Sequence, residues 1–274
     1  MKINISNLHY SYPGEIKALS GVNICIETSE LVAIIGQNGA GKTTLVKHFN
    51  GLLLPNDGKV IIGDWDTKEH TVAKLSARVG YVFQNPDEQL FKRNVYDEIS
   101  FGPKNLGFSE PDIESHVEDA IQLTDLDNYR NSNPYDLSPT WRKMVAIASI
   151  IAMDTPIVIF DEPTTGQDAV NVERIARIVH TLHLHGKTVI TISHDIDFCA
   201  ENFKRIIALS KGKVLLDGPS REVIAEVDLL SSTYVEPPQL TRLGFRLGFP
   251  IAVSNQDEFL NELQQIVDKR SDQI

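Results

Sequence analysis

Only two cysteines, Cys25 and Cys199, occur in 274 residues, and nothing in their spacing suggests a disulfide framework or a thiolate metal site. A reducing compartment is therefore expected. Long apolar runs are also missing: stretches such as Val145 to Met153 fall well short of the roughly 18 residues that a membrane-spanning helix needs. The opening Lys2-Ile3-Asn4-Ile5-Ser6 alternates polar and apolar residues instead of leading from basic residues into an apolar run, so no secretory leader is expected. Positive charge is in deficit, with 26 Lys+Arg against 37 Asp+Glu and a formal net charge of -11. That balance argues against a nucleic-acid partner, because phosphate backbones are held by clustered cations. Neither an internal repeat nor a low-complexity run is visible. What remains, 42% hydrophobic and 23% charged, is the composition of one globular domain with room for a small appendage.

Apolar patterning divides the chain into alternating strands and helices. Val22 to Glu27, Leu31 to Ile35, Lys59 to Ile62, Val79 to Phe83, Ile157 to Phe160, Thr188 to Thr191, Arg205 to Leu209 and Lys213 to Leu216 have the β-branched content of strands. Helical spacing fills Asn94 to Asn105, Pro111 to Leu123, Trp141 to Met153, Ala169 to His185 and Asp195 to Asn202. The alternation predicts an α/β core interrupted by a helical insertion over about 95–153. Asp217-Gly218-Pro219 closes this core, and a short helix over Arg221 to Glu226 is expected after it. Residues 227–274 then form a small C-terminal extension, broken at Glu236-Pro237-Pro238 and ending in an amphipathic helix over Asp257 to Val267.

Gly36-Gln37-Asn38-Gly39-Ala40-Gly41-Lys42-Thr43 matches the P-loop pattern at every position, following the apolar strand Leu31 to Ile35 and opening a helix at Lys42, with Thr44 as a further nucleotide-binding residue. Glycines let successive backbone N–H groups curl around phosphate oxygens, and the helix N-terminus favours negative charge. Lys42 is expected to reach the β- and γ-phosphates of ATP, and Thr43 to offer its hydroxyl to Mg²⁺. Ile157-Val158-Ile159-Phe160 is an apolar strand ending in two carboxylates, Asp161 and Glu162. With a P-loop upstream, Asp161 is expected to hold the magnesium site through water and Glu162 to orient and deprotonate an attacking water. His183 and His185, two apart on a helical stretch, point to different sides and read as surface residues rather than a metal pair.

The order P-loop, Gln84, Leu137-Ser138, Asp161-Glu162, Gly166-Gln167-Asp168, His194 resembles the ATP-binding cassette (ABC) ATPases over residues 1–226. The resemblance implies a P-loop NTPase fold with a RecA-like core, an antiparallel β subdomain and an α-helical subdomain. It also implies that Tyr12 stacks on adenine, that Gln84 senses magnesium and a membrane partner, and that His194 contacts the γ-phosphate. In that family two cassettes clamp two ATP molecules, each lying on one chain's P-loop and touched by the other chain's signature segment. The run Gln84 to Phe91 and the tail segment Pro237 to Leu243 resemble energy-coupling-factor transporter ATPases. That resemblance implies a peripheral subunit at the cytoplasmic face of the membrane. Its partners would be a transmembrane coupling protein and a substrate-binding membrane protein, with the tail as a dimerisation element.

One segment departs from the family. The signature, normally Leu-Ser-Gly-Gly-Gln, reads Leu137-Ser138-Pro139-Thr140-Trp141. Pro139 removes a backbone donor, Thr140 is β-branched where a backbone must approach phosphate, and Trp141 adds bulk. A homodimer would hold two sites with this altered segment, so a heterodimer with a partner cassette of intact signature is expected. A regulatory or assembly subunit with little turnover is the alternative, as is a cassette ATPase that serves no transporter.

Overall fold

A computed structural model of the chain describes residues 1–271; the last three positions of the expected extension, 272–274, lie outside the described residues. The strands are β1 (Ile3–Tyr12), β2 (Ile16–Ile26), β3 (Leu31–Ile35), β4 (Asp57–Ile62), β5 (Trp65–Asp66), β6 (Val79–Val82), β7 (Ile157–Asp161), β8 (Thr188–Ser193), β9 (Arg205–Ser210) and β10 (Lys213–Pro219). They form two sheets. One is antiparallel, in the order β2-β1-β4-β5; the other runs β10-β9-β3-β8-β7-β6, parallel throughout except for the antiparallel edge strand β10. Every residue of β3, β7 and β8 is buried, as expected of central strands covered on both faces.

The helices are α1 (Lys42–Lys47), α2 (Val72–Leu75), α3 (Val95–Asn105), α4 (Glu110–Leu123), α5 (Pro139–Ile151), α6 (Ala169–Leu184), α7 (Ile196–Asn202), α8 (Ser220–Ala225), α9 (Val227–Ser231), α10 (Gln239–Leu247) and α11 (Gln256–Ser271). Side chains alternate across the parallel sheet and feed two apolar cores. Val32, Ile34, Ile157 and Ile159 pack with the inner face of the antiparallel sheet and with Leu45, Val46 and Phe49 at α1. Ala33, Ile35, Val158 and Phe160 pack with Ile99 of α3, Val117 of α4, Ile147 of α5 and Ile178 of α6. The helices α3 to α5 fill the segment between β6 and β7.

Several boundaries differ from the sequence expectation. The N-terminal alternation is itself the strand β1, and β2 begins at Ile16 rather than at Val22, because the two pair as one long antiparallel ribbon with register shifts. The proline-flanked segment after Pro238 is the helix α10, which hydropathy periodicity alone had not delimited. Its Gly244 is required by packing, since a Cβ there would lie 2.7 Å from the Phe249 ring. Thr241 donates to the Val253 carbonyl at 2.6 Å, and the Gln239 amide donates to Asp197 at 3.0 Å, which ties the extension to the core near α7. Leu243 and Leu247 stay exposed while Phe249 is buried.

Candidate functional site

The turn between β3 and α1 owes its shape to its glycines. A Cβ at Gly36 would sit 2.4 Å from the Leu209 carbonyl oxygen and one at Gly41 would sit 2.7 Å from the Ala18 carbonyl oxygen, both at positive φ. The loop thus wraps backbone amides around a cleft of about 230 Å³, lined by Gln37, Asn38, Gly39, Ala40, Gly41, Lys42, Thr43 and Thr44 together with Gln84, Glu162 and His194. Of the residues singled out from sequence, Gly36, Tyr12 and Asp161 are outside this lining but hydrogen-bond to Lys42, Thr44 and Thr43 within it. Lys42 is only 6% exposed, and its ammonium donates to the Gly36 carbonyl at 2.6 Å and the Gln37 carbonyl at 3.3 Å. Burial pulls its pKa down, opposed by the charges of Glu162 and Asp161.

Strand β7 delivers the carboxylates. Asp161 ends the strand, 2% exposed, accepting from the Thr43 hydroxyl at 3.4 Å on Oδ1 and from the Tyr81 phenol at 2.5 Å on Oδ2. Burial raises its pKa, and the Tyr81 bond works against that rise. Glu162 follows at φ 47, a left-handed conformation that turns the side chain off the strand direction while its amide still donates to the Ile192 carbonyl at 2.8 Å. Oε2 of Glu162 accepts from His194 Nδ1 at 2.7 Å and from the His194 amide at 3.3 Å, and Oε1 lies 3.9 Å from the Lys42 ammonium. Tyr12, 37% exposed at the end of β1, stands against the α1 side of the cleft with its phenol 3.1 Å from the Thr44 hydroxyl.

The donor set suits a magnesium ion. A hydroxyl and a carboxylate oxygen converge from Thr43 and Asp161, with the amide of Gln84 on the cleft lining. Mg²⁺ is commonly held by one or two protein oxygens plus phosphates and water, so no larger cage is needed. Among the described residues no group of three or more His, Cys, Asp or Glu could hold a metal.

Two contributors were not legible as site residues. Tyr81 lies opposite Ile159 in the parallel register, two residues from Asp161 and on the same face, so its phenol reaches the carboxylate. Lys143, only 2% exposed within the apolar face of α5, donates to the backbone carbonyls of Phe83 and Gln84. Burial lowers its pKa, with Asp161 and Glu162 opposing. A lysine directly before the apolar run Met144 to Ile147 was the available signal. Asp87 of the loop Gln84 to Phe91 pairs at 2.9 Å with Arg142 of its own chain. His183 is less of a surface residue than expected, since its Nδ1 is shut away from solvent without a partner.

The altered signature forms the start of α5. Ser138 is the N-cap, its hydroxyl accepting from the Trp141 amide at 3.5 Å, and Pro139 takes the first helical position, where a missing N–H costs little. Trp141 does not project from the helix start. Its ring packs 4.7 Å from Tyr129 and lies 5.0 Å under the Arg174 guanidinium. Arg174 is held by Asp125 at 2.7 Å and by Asn171, which in turn donates to Asp168 at 2.7 Å.

Comparison with known proteins agrees with this arrangement. The ABC transporter family profile matches residues 19–165. The energy-coupling factor transporter ATP-binding protein EcfA2 of Clostridium tetani is 40% identical over 252 residues, covering 89% of this chain and 88% of that protein. A structure of CbiO1 from Clostridium perfringens, part of the ABC transporter complex CbiONQ, superposes with a TM-score of 0.76 at 33% identity, covering 89% of this chain and 98% of the other. An ATP-binding cassette dimer in a post-hydrolysis state bound to ADP and Pi superposes with a TM-score of 0.72 at 27% identity, covering 80% of this chain and 99% of that one. Against two longer relatives, 39% and 37% identical, the chain spans only 43% of their length. No helix among the described residues is long and apolar enough to cross a membrane. A P-loop cleft faced by a strand-end carboxylate pair, on a fold shared with solved cassettes and within a matched profile, means that this chain belongs to the ABC transporter family.

Proposed function

We propose that the chain is the ATP-binding and ATP-hydrolysing subunit of an energy-coupling-factor type importer, peripheral to the cytoplasmic face of a membrane and powering uptake of a vitamin, metal ion or related micronutrient. The observation that carries this reading is the meeting of Lys42, Glu162 and His194 within one phosphate-sized cleft, with Oε1 of Glu162 3.9 Å from the ammonium. ATP phosphates take over the loop amides and exchange for the two carbonyls that Lys42 now touches, while Tyr12 stacks on adenine. Glu162 orients a water and accepts its proton as the water oxygen attacks the γ-phosphorus. The bond to the bridging oxygen breaks, and the electron pair leaves with ADP. His194 holds the Glu162 carboxylate in place and touches the γ-phosphate. Mg²⁺, held by Thr43, Gln84 and, through water, by Asp161, would supply positive charge to the phosphate oxygens.

The partner is a second cassette with an intact signature, joined by a transmembrane coupling protein and a substrate-binding membrane protein. A heterodimer is supported by Pro139, which removes a backbone donor, and by Thr140, whose β-branched side chain crowds the backbone, in the segment that would contact the partner's phosphates. The same residues favour one second reading, a regulatory cassette that binds ATP and turns it over little. Reconstituting the chain with candidate partner cassettes in vesicles containing the membrane proteins separates the two. Hydrolysis at this chain's own P-loop that requires the partner supports the motor. A site that binds ATP in the complex but never hydrolyses it supports the regulator, and rapid hydrolysis by this chain alone removes the heterodimer.

A further inference from the structure

We infer that Tyr81 is a positioning residue for metal binding: its phenol fixes the outer oxygen of Asp161, so that the inner oxygen alone faces the ion. This rests on the reading of Asp161 as a holder of Mg²⁺. Three observations support it. Tyr81 pairs in register with Ile159, which places its side chain on the face of the sheet that Asp161 occupies at the strand end. Its hydroxyl donates to Oδ2 at 2.5 Å, while Oδ1, 3.4 Å from the Thr43 hydroxyl, points toward the P-loop. The ring is buried at 5% exposure and wedged edge-on against Phe83 at 4.9 Å, so the phenol has little room to swing away.

A carboxylate free to rotate offers either oxygen, or both, to a cation. One oxygen pinned by a strong donor leaves a single oxygen directed at the metal site, which would orient a metal-bound water in one way. Thr43 is then met by one oxygen at a fixed orientation rather than by an average over rotamers. Removing such an outer partner from a ligating group typically weakens metal binding by about 10- to 100-fold.

The test is a Mn²⁺ titration of the full ATP-loaded chain followed by electron paramagnetic resonance, comparing the unaltered protein with Tyr81→Phe and Asp161→Asn. ATP affinity in excess EDTA is measured alongside as a check that the P-loop remains folded. Tyr81→Phe keeps the ring and its packing and loses only the donor. The expected result is Mn²⁺ affinity about 10-fold weaker in Tyr81→Phe, with ATP affinity in EDTA unchanged. Unchanged Mn²⁺ affinity in Tyr81→Phe, with a large loss in Asp161→Asn, overturns the role of Tyr81 while leaving Asp161 in the metal site. Unchanged Mn²⁺ affinity in both variants overturns the metal reading of Asp161 and this inference with it. A parallel loss of ATP affinity in EDTA would make Tyr81 a structural residue and overturn the inference too.

Discussion

Single side chains set the chemistry, and each makes a separable prediction. Lys42→Ala removes the one lysine that lines the cleft among the described residues and is expected to weaken ATP binding roughly 10- to 100-fold, the worth of a charge-assisted hydrogen bond of about 1.5–3 kcal/mol. Equilibrium dialysis with labelled ATP measures it, and unchanged affinity would remove the phosphate role of this lysine. Glu162→Gln keeps the shape that His194 grips and loses the basicity, so ATP binding should persist while turnover at this P-loop falls about 10²–10⁴-fold. Asp161 adds a stability prediction. Its folded pKa is raised by burial, so any stability it lends is present at low pH and is lost as pH rises through that raised value. At neutral pH the ionised, metal-free carboxylate is therefore a net cost. Asp161→Asn in EDTA should melt higher at pH 7.5, by about 2–4 °C for each 1 kcal/mol relieved, and the gain should shrink at pH 4. Equal melting temperatures at both values would show that Asp161 is no burden when ionised.

Among the elements, α5 carries the departure from the family, and here sequence and structure differ most in what they make visible. The P-loop, the β7 carboxylates and the position of His194 after β8 were legible, because each combines a local residue pattern with a strand that periodicity can locate. The inward packing of Trp141 was not legible, because it depends on Tyr129 and on Arg174 of α6, which only the fold brings together. Tyr81 and Lys143 were hidden for a related reason: sheet register and helix burial, rather than any motif, aim them at Asp161 and at the Gln84 backbone. In the extension, prolines and short spacing concealed α10, whose buried face is made by Thr241 and Gly244. At this scale, restoring Gly-Gly-Gln at Pro139, Thr140 and Trp141 should leave turnover at this chain's own P-loop nearly unchanged. It should raise turnover at the partner's P-loop by about 10²-fold, the value of restored oxyanion-type donors. Single-turnover assays with one chain's P-loop lysine removed read each site alone, and a gain on this chain's nucleotide instead would mean that the sites are not assigned across the dimer as proposed.

For the molecule as a whole, the parallel sheet is a wall between two apolar interiors. One lies between that wall and the antiparallel ribbon, around α1; the other lies between it and α3 to α6. Val46 belongs to the first and Val117 to the second, both fully buried. Each Val→Ala change should cost about 1–3 kcal/mol from lost apolar burial and the cavity left behind. Because no shared side chain fills both cavities, the double variant should lose the sum of the two costs to within about 0.3–0.5 kcal/mol in urea denaturation. A larger discrepancy would mean that β3, β7 and β8 deform together and carry strain through the wall. Additivity has an evolutionary corollary: the interior beside the P-loop and the helical interior can accumulate substitutions independently, so the helical layer can be rebuilt without retuning the layer that carries the P-loop.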